Sequence, residues 1–252
     1  MAMKRFINNF NAKLVVQYKN LTIIGTSHIA KQSLKEVEDA INRIKPEYIA
    51  IELDKKRYYA LTSGEKRKLR LSDIWRIGFK GYLFNVIGAW VERKLGNLVG
   101  VSPGSEMIKA INLAKLHNSK VALIDQDIEI TLKRFSKAMP FKEKWNLFVD
   151  ILKGIFFGKR ELKKMGINNI DLTKVPSKSL IKKLMQKVKD RYPSVYRVLI
   201  EERNHVLANN LRYLMQTHPE SKIVAVIGAG HEEDVMKLIK KEPEISYAYK
   251  IG

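Results

Sequence analysis

Leu21-Thr22-Ile23-Ile24-Gly25-Thr26-Ser27-His28 is an apolar run that breaks into a glycine, two hydroxyl residues and a histidine. Near the other end, Ile223-Val224-Ala225-Val226-Ile227-Gly228-Ala229-Gly230-His231 repeats the device. A short, continuous apolar run bounded by turn residues reads as a strand buried on both faces. The two Gly-x-x-His sequences therefore predict two core strands, each delivering an imidazole at its carboxyl end.

Working outward, Leu14 to Tyr18 and the first of these runs, split by Lys19-Asn20, read as a hairpin or as two consecutive strands. Ser33 stands three residues before Glu36, the spacing of a capping box, and Leu34, Val37, Ala40, Ile41 and Ile44 then keep helical period up to Pro46. Tyr48 to Leu53 is a second buried strand ending in Glu52-Leu53-Asp54. Strand, helix and strand at these lengths predict a parallel βαβ unit. Lys55 to Leu71 reads as basic and partly helical, with a turn at Ser63-Gly64. Residues 73–98 are aromatic and amphipathic, open to reading as core, pocket cover or membrane contact. Ser102-Pro103-Gly104-Ser105-Glu106 opens a helix through about His117, and Val121 to Ile124 is a third buried strand ending in Asp125-Gln126-Asp127. Residues 128–216 read as almost wholly helical, the last helix running from about Ser194 to Gln216. Lys222 to Ile227 gives the fourth buried strand, a helix follows to about Lys241, and Ile245 to Ile251 alternates like an edge strand. The expected architecture is one α/β domain over 1–252. Its central sheet is mixed and largely parallel, flanked by helices, with a large basic helical insertion (128–216) between the third and fourth core strands.

Composition bounds the chemistry. The chain has 252 residues and no cysteine, which excludes disulfides, thiolate metal sites and a cysteine nucleophile. Its N-terminus lacks the apolar core of a signal peptide, and it has no run of about 20 apolar residues to span a bilayer. The net charge is +21, and residues 131–200 hold 18 Lys+Arg against 5 Asp+Glu. Such a segment suits an anionic membrane surface, and equally a lysine-rich solvated helical face. No recognised nucleic-acid motif is present, so nucleic acid is not an expected partner.

Four predicted strands end in His28, in Glu52 with Asp54, in Asp125 with Asp127, and in His231. Ligands of open parallel sheets bind at the carboxyl ends of the strands, so these groups are expected at one edge. Two imidazoles and a carboxylate can hold a divalent ion and activate water, or a His–Glu pair can act as general base without metal. Both remain open on the residues alone. Ser27 beside His28 does not suit a serine triad, because neighbours on a turn rarely face each other. Gly228-x-Gly230 lacks the third glycine of a dinucleotide fingerprint. Asp125 and Asp127 suit N-caps, Glu106 suits a helix first turn, and Glu201 and His205 share a helix face. His117 and His218, at helix ends, read as structural.

The pattern resembles the TraB/PrgY family and its wider Tiki, GumN-like and ChaN- or erythromycin-esterase-like relatives. The resemblance rests on Gly25-Thr26-Ser27-His28, Glu52-Leu53-Asp54 with Arg57, Pro103-Gly104-Ser105-Glu106-Met107, and Leu123-Ile124-Asp125-Gln126-Asp127 with Thr131 and Arg134. Glu202-Arg203-Asn204 and Gly228-Ala229-Gly230-His231 complete it. One position departs: Gln126 stands where the family often carries arginine. The resemblance implies a divalent-metal-dependent hydrolase, most naturally a peptidase, with a non-catalytic peptide-sequestering or membrane-associated regulator as the alternative. It implies catalytic roles for His28, Glu52, His231, Arg57, Glu202 and Arg203, and metal ligation by His28, Glu52, Glu106 and His231. Manganese, cobalt or zinc are the candidate ions. The expected partners are a peptide and an anionic membrane surface, and a homo-oligomer is compatible with the sequence. This chain reads as a soluble domain, membrane-associated in full-length family members.

Overall fold

The structure, a computed structural model, describes residues 15–27, 31–63, 72–75, 78, 82, 86, 104–147, 149–150 and 177–241. Its sheet has five strands in the order β1-β2-β5-β3-β4: β1 (Val15–Tyr18), β2 (Leu21–Thr26), β3 (Tyr48–Ile51), β4 (Lys120–Leu123) and β5 (Ile223–Gly228). The β1–β2 hairpin is antiparallel and every other pairing is parallel. The two Gly-x-x-His strands are neighbours in register, Gly25 opposite Ile227 and Thr26 opposite Gly228. All six residues of each are buried, as their unbroken apolar runs require.

The sequence predicts a βαβ unit from β2 to β3, but these strands do not touch. β5, the last strand among the described residues, lies between them and pairs with both. Helix α1 (Lys31–Ile44) therefore crosses over the place of an absent strand that arrives much later in the chain.

Side-chain alternation divides the core into two layers. Ile24, Val224, Val226, Ile49 and Ile51 face α1 and α3 (Ser105–Leu116), meeting Val37, Ile41, Met107 and Ile111. Leu21, Ile23, Ala225 and Ile227 face the opposite side, packing on Leu207 and Leu211 of α7 (Glu202–Thr217) and Val235 and Ile239 of α8 (Ala229–Lys240). Period-two alternation on buried strands makes this three-layer packing the natural outcome. Further helices include α2 (Lys55–Thr62), α4 (Ile128–Ala138), α5 (Lys178–Arg191) and α6 (Pro193–Tyr196), which runs through a π-helical turn (Arg197–Glu201) into α7, and residues 141–147 are helical as well. The described parts of 128–216 are thus helical. Among the described residues no helix is long and apolar enough to cross a membrane. The edge strand expected at 245–251 and most of the aromatic stretch 73–98 lie outside the described residues; within that stretch, Trp75 is exposed.

Ser33 is not the N-cap its spacing suggests. It sits inside α1, fully buried, where its hydroxyl accepts from the Ser27 amide at 2.9 Å and donates to the Ser27 carbonyl at 3.1 Å. The hydroxyl closes the turn after β2 rather than the helix. Glu36 likewise forms no capping box. It accepts from the Gln32 amide at 2.5 Å and keeps one buried oxygen without a partner.

Burial pushes the Glu36 carboxyl above its ordinary value of 4.5, the Gln32 hydrogen bond working against this and Asp39 and Glu232 adding repulsion. A folded-state value above the unfolded one adds stability below 4.5 that is lost as pH rises through the folded value. Glu36→Gln is therefore expected to stabilise the protein near neutrality, with the gain vanishing below the ordinary glutamate value. Urea midpoints across pH check this; a variant less stable than its parent at neutral pH refutes it.

Gly25 allows a close approach. A Cβ there would collide with the Glu232 carboxylate and come within 3.3 Å of the Ala229 backbone. Gly25→Ala is expected to destabilise the chain by about 1–3 kcal/mol through overpacking. An unchanged denaturation midpoint would count against the fit of β2 against α8.

Candidate functional site

The carboxyl edge of β3, β4 and β5 gathers a buried charge cluster. Glu52 follows β3 directly, its backbone amide still bound to the Val226 carbonyl at 3.2 Å. Its carboxylate is 4% exposed. One oxygen accepts from the amide of Gly228, the buried N-cap of α8, at 2.6 Å, and the other pairs with Arg203. A helix N-terminus offers such amides to anions.

Arg203 comes from α7, just past the π-helical turn. Its Nη2 bridges Glu52 and Asp125, reaching Asp125 at 2.6 Å, and its Nε donates to Asp125 at 3.2 Å. Asp125 also receives Arg57 at 2.5 Å, and Arg57 in turn pairs with Asp54 at 2.7 Å. Three carboxylates thus face two guanidinium groups, leaving one net negative charge in the cluster. The neighbouring carboxylates Glu52 and Asp125 hold the Arg203 guanidinium well above its ordinary range, against the opposing effect of burial.

His231 lies in the first turn of α8, 6% exposed. Its Nδ1 meets the Asn204 side-chain oxygen at 2.6 Å. An amide oxygen only accepts, so Nδ1 carries a proton, and in the neutral ring Nε2 is the acceptor nitrogen. Nε2 faces Glu52 at 3.6 Å and Arg203 Nη1 at 3.5 Å.

The predicted residues separate into groups. Glu52, Arg203 and His231 converge, and Arg57 joins them through Asp125. Glu202 turns to α4, where it pairs with Arg134 at 2.7 Å. Glu201 pairs with Lys189 at 3.1 Å, and His205 on the same helix is exposed. Glu106 is buried in the first turn of α3, at this edge of the sheet. His28 lies outside the described residues. Asp127 is the N-cap of α4, accepting from the Glu129 amide at 2.7 Å. Asp125, read from sequence as a second cap, instead binds both arginines, because it stands too far before Ile128 to reach that helix's amides. Gln126 donates to Thr131 at 2.6 Å, and Arg57 supplies the positive charge beside this loop. Asn204 went unassigned a role. Its signal was a buried asparagine inside a helix, where that residue is intrinsically unfavourable and calls for a partner.

Among the described residues no three His, Asp or Glu side chains gather as a metal-ligating group. Glu52 gives one oxygen to Arg203 and the other to the Gly228 amide, which suits an orienting carboxylate more than a ligand. What the described residues form is an imidazole of fixed tautomer, aimed at a carboxylate–guanidinium pair. That arrangement can abstract a proton at Nε2 and stabilise developing negative charge at Arg203.

A family model described as the TraB/PrgY/gumN family matches residues 14–244. An uncharacterized protein of Methanocaldococcus jannaschii is 35% identical over 238 residues, covering 94% of this chain and 57% of that protein. TraB domain-containing proteins of Mus musculus and Homo sapiens are each 24% identical over 239 residues, covering 85% of this chain and 61% of theirs. The chain spans about three-fifths of the length of these relatives.

Proposed function

The chain belongs to the TraB/PrgY/gumN family, and we propose that it is a hydrolase of peptide amides centred on His231, Glu52 and Arg203. The orientation of His231 supports this most directly: Asn204 fixes Nδ1, so Nε2 faces Glu52 and Arg203. In this reading Nε2 takes a proton from the attacking water, and the developing oxyanion lies against Arg203. The imidazolium then returns the proton to the leaving amine. Glu52 and Asp125 hold the guanidinium in place, and Arg57 holds Asp125.

The test is peptide cleavage by the full chain and by His231→Ala, with metal analysis and a chelator arm. Loss of cleavage in the variant supports the reading, and undiminished cleavage overturns it. Loss to chelator with recovery on manganese, cobalt or zinc adds an ion held with His28 as a further ligand. Engagement of both arginines by carboxylates favours a second reading, in which the edge is a rigid rim that binds peptide without turnover. Peptide binding without any cleavage product favours that one.

A further inference from the structure

A cleft of about 160 Å³ opens between α5 and the N-terminal half of α8. Ala229 and Gly230, the two residues before His231, form part of its wall. Ile181, Met185 and Tyr196 supply an apolar and aromatic side, and Glu232 supplies a buried carboxylate. That carboxylate is 2% exposed. One of its oxygens accepts from Lys178 at 2.7 Å, and the other, packed over Gly25, has no hydrogen-bond partner among the described residues.

We propose that this cleft binds a primary ammonium group, that of the N-terminal residue of a peptide, on the Glu232 carboxylate in place of Lys178. Lys178 is half-exposed and already makes an ammonium–carboxylate contact of ordinary length, so an ammonium fits there. An anion would face a buried carboxylate. Among the described residues no group of three acids or histidines is placed to hold a metal ion. Of the two other lysines lining the cleft, Lys237 is taken by Glu233 at 2.6 Å and Asp234 at 3.5 Å, and Lys182 faces the charge of Glu233. The volume also limits the ligand. It equals about five waters, well below the roughly 300–1,000 Å³ of a pocket that encloses a whole small molecule. One terminal residue fits, with its side chain against Ile181, Met185 and Tyr196.

This deepens the hydrolase reading by naming the end of the peptide that is held. Its test reads binding alone, so it stands apart from turnover. The full chain carrying His231→Ala is titrated by calorimetry with trialanine and with N-acetyl-trialanine. Trialanine is expected to bind, and acetylation to weaken it by about tenfold or more. Lys178→Met is expected to tighten trialanine binding, and Glu232→Gln to abolish it. Should Glu232→Gln fail to fold, Met185→Trp fills the cleft without touching the carboxylate and is expected to block binding equally. Absence of trialanine binding overturns the proposal. Equal affinity for the two peptides, weaker binding to Lys178→Met, or unchanged binding to Met185→Trp does so too.

Discussion

Arg203→Met is expected to lower the unfolding free energy by about 3–5 kcal/mol, the range for breaking a buried ion pair by removing one partner. Methionine keeps most of the apolar volume, so little of the loss comes from packing. The loss comes from Glu52 and Asp125, whose side chains are 4% and 1% exposed and share this guanidinium. Arg57 still reaches Asp125 at 2.5 Å, whereas Glu52 keeps the Gly228 amide and the nearby imidazole. Glu52 therefore suffers most. Adding Glu52→Gln to Arg203→Met should recover a large part of the loss, because the uncompensated charge disappears with it. Urea denaturation of the parent, both single variants and the double variant measures the coupling. A single variant within about 1 kcal/mol of the parent, the range of an exposed pair, would contradict the burial of this cluster.

His231→Ala is expected to reduce peptide cleavage by about 10²–10⁴-fold, the contribution of a positioned general base. Its fold should persist, since the change leaves one buried amide oxygen, on Asn204, without its donor, a loss of about 1–3 kcal/mol. Asn204→Ala separates positioning from chemistry. The imidazole stays but loses the contact that fixes its tautomer, so kcat should fall by about 10–100-fold with KM little changed. Circular dichroism and peptide kinetics on the same preparations decide both. A kcat in Asn204→Ala equal to the parent's would remove the tautomer argument.

Much of this arrangement was legible in the sequence because strands and their ends are local. Each buried strand announced itself as an apolar run, and the reactive residue stood at its exit: Glu52 after β3, Asp125 after β4, His231 after β5. Common direction followed from the helical crossovers. The sheet order was not legible, because nothing local to Ile223–Gly228 says that it inserts between β2 and β3. The role of Asp125 was hidden for the same reason. Its partner Arg203 is 78 positions away, while the nearby start of α4 made capping the obvious reading. Ser33 and Glu36 carried a capping-box spacing that tertiary contacts overrode. On α7, Glu202 and Arg203 are adjacent in sequence, yet helical geometry turns them apart, one to Arg134 and the other to the cluster.

The central position of β5 bears on how the chain comes to be folded during synthesis. Until residues 223–228 emerge from the ribosome, β2 and β3 cannot join, and each presents an unpaired, largely apolar edge of the kind that invites aggregation. Glu52 meanwhile awaits both the guanidinium of Arg203 and the amide of Gly228. β5 is a keystone: its arrival joins β2 to β3 and brings the Gly228 amide and His231 to Glu52. A nascent chain stalled before it would need a chaperone's protection, and ordered structure and function should appear together.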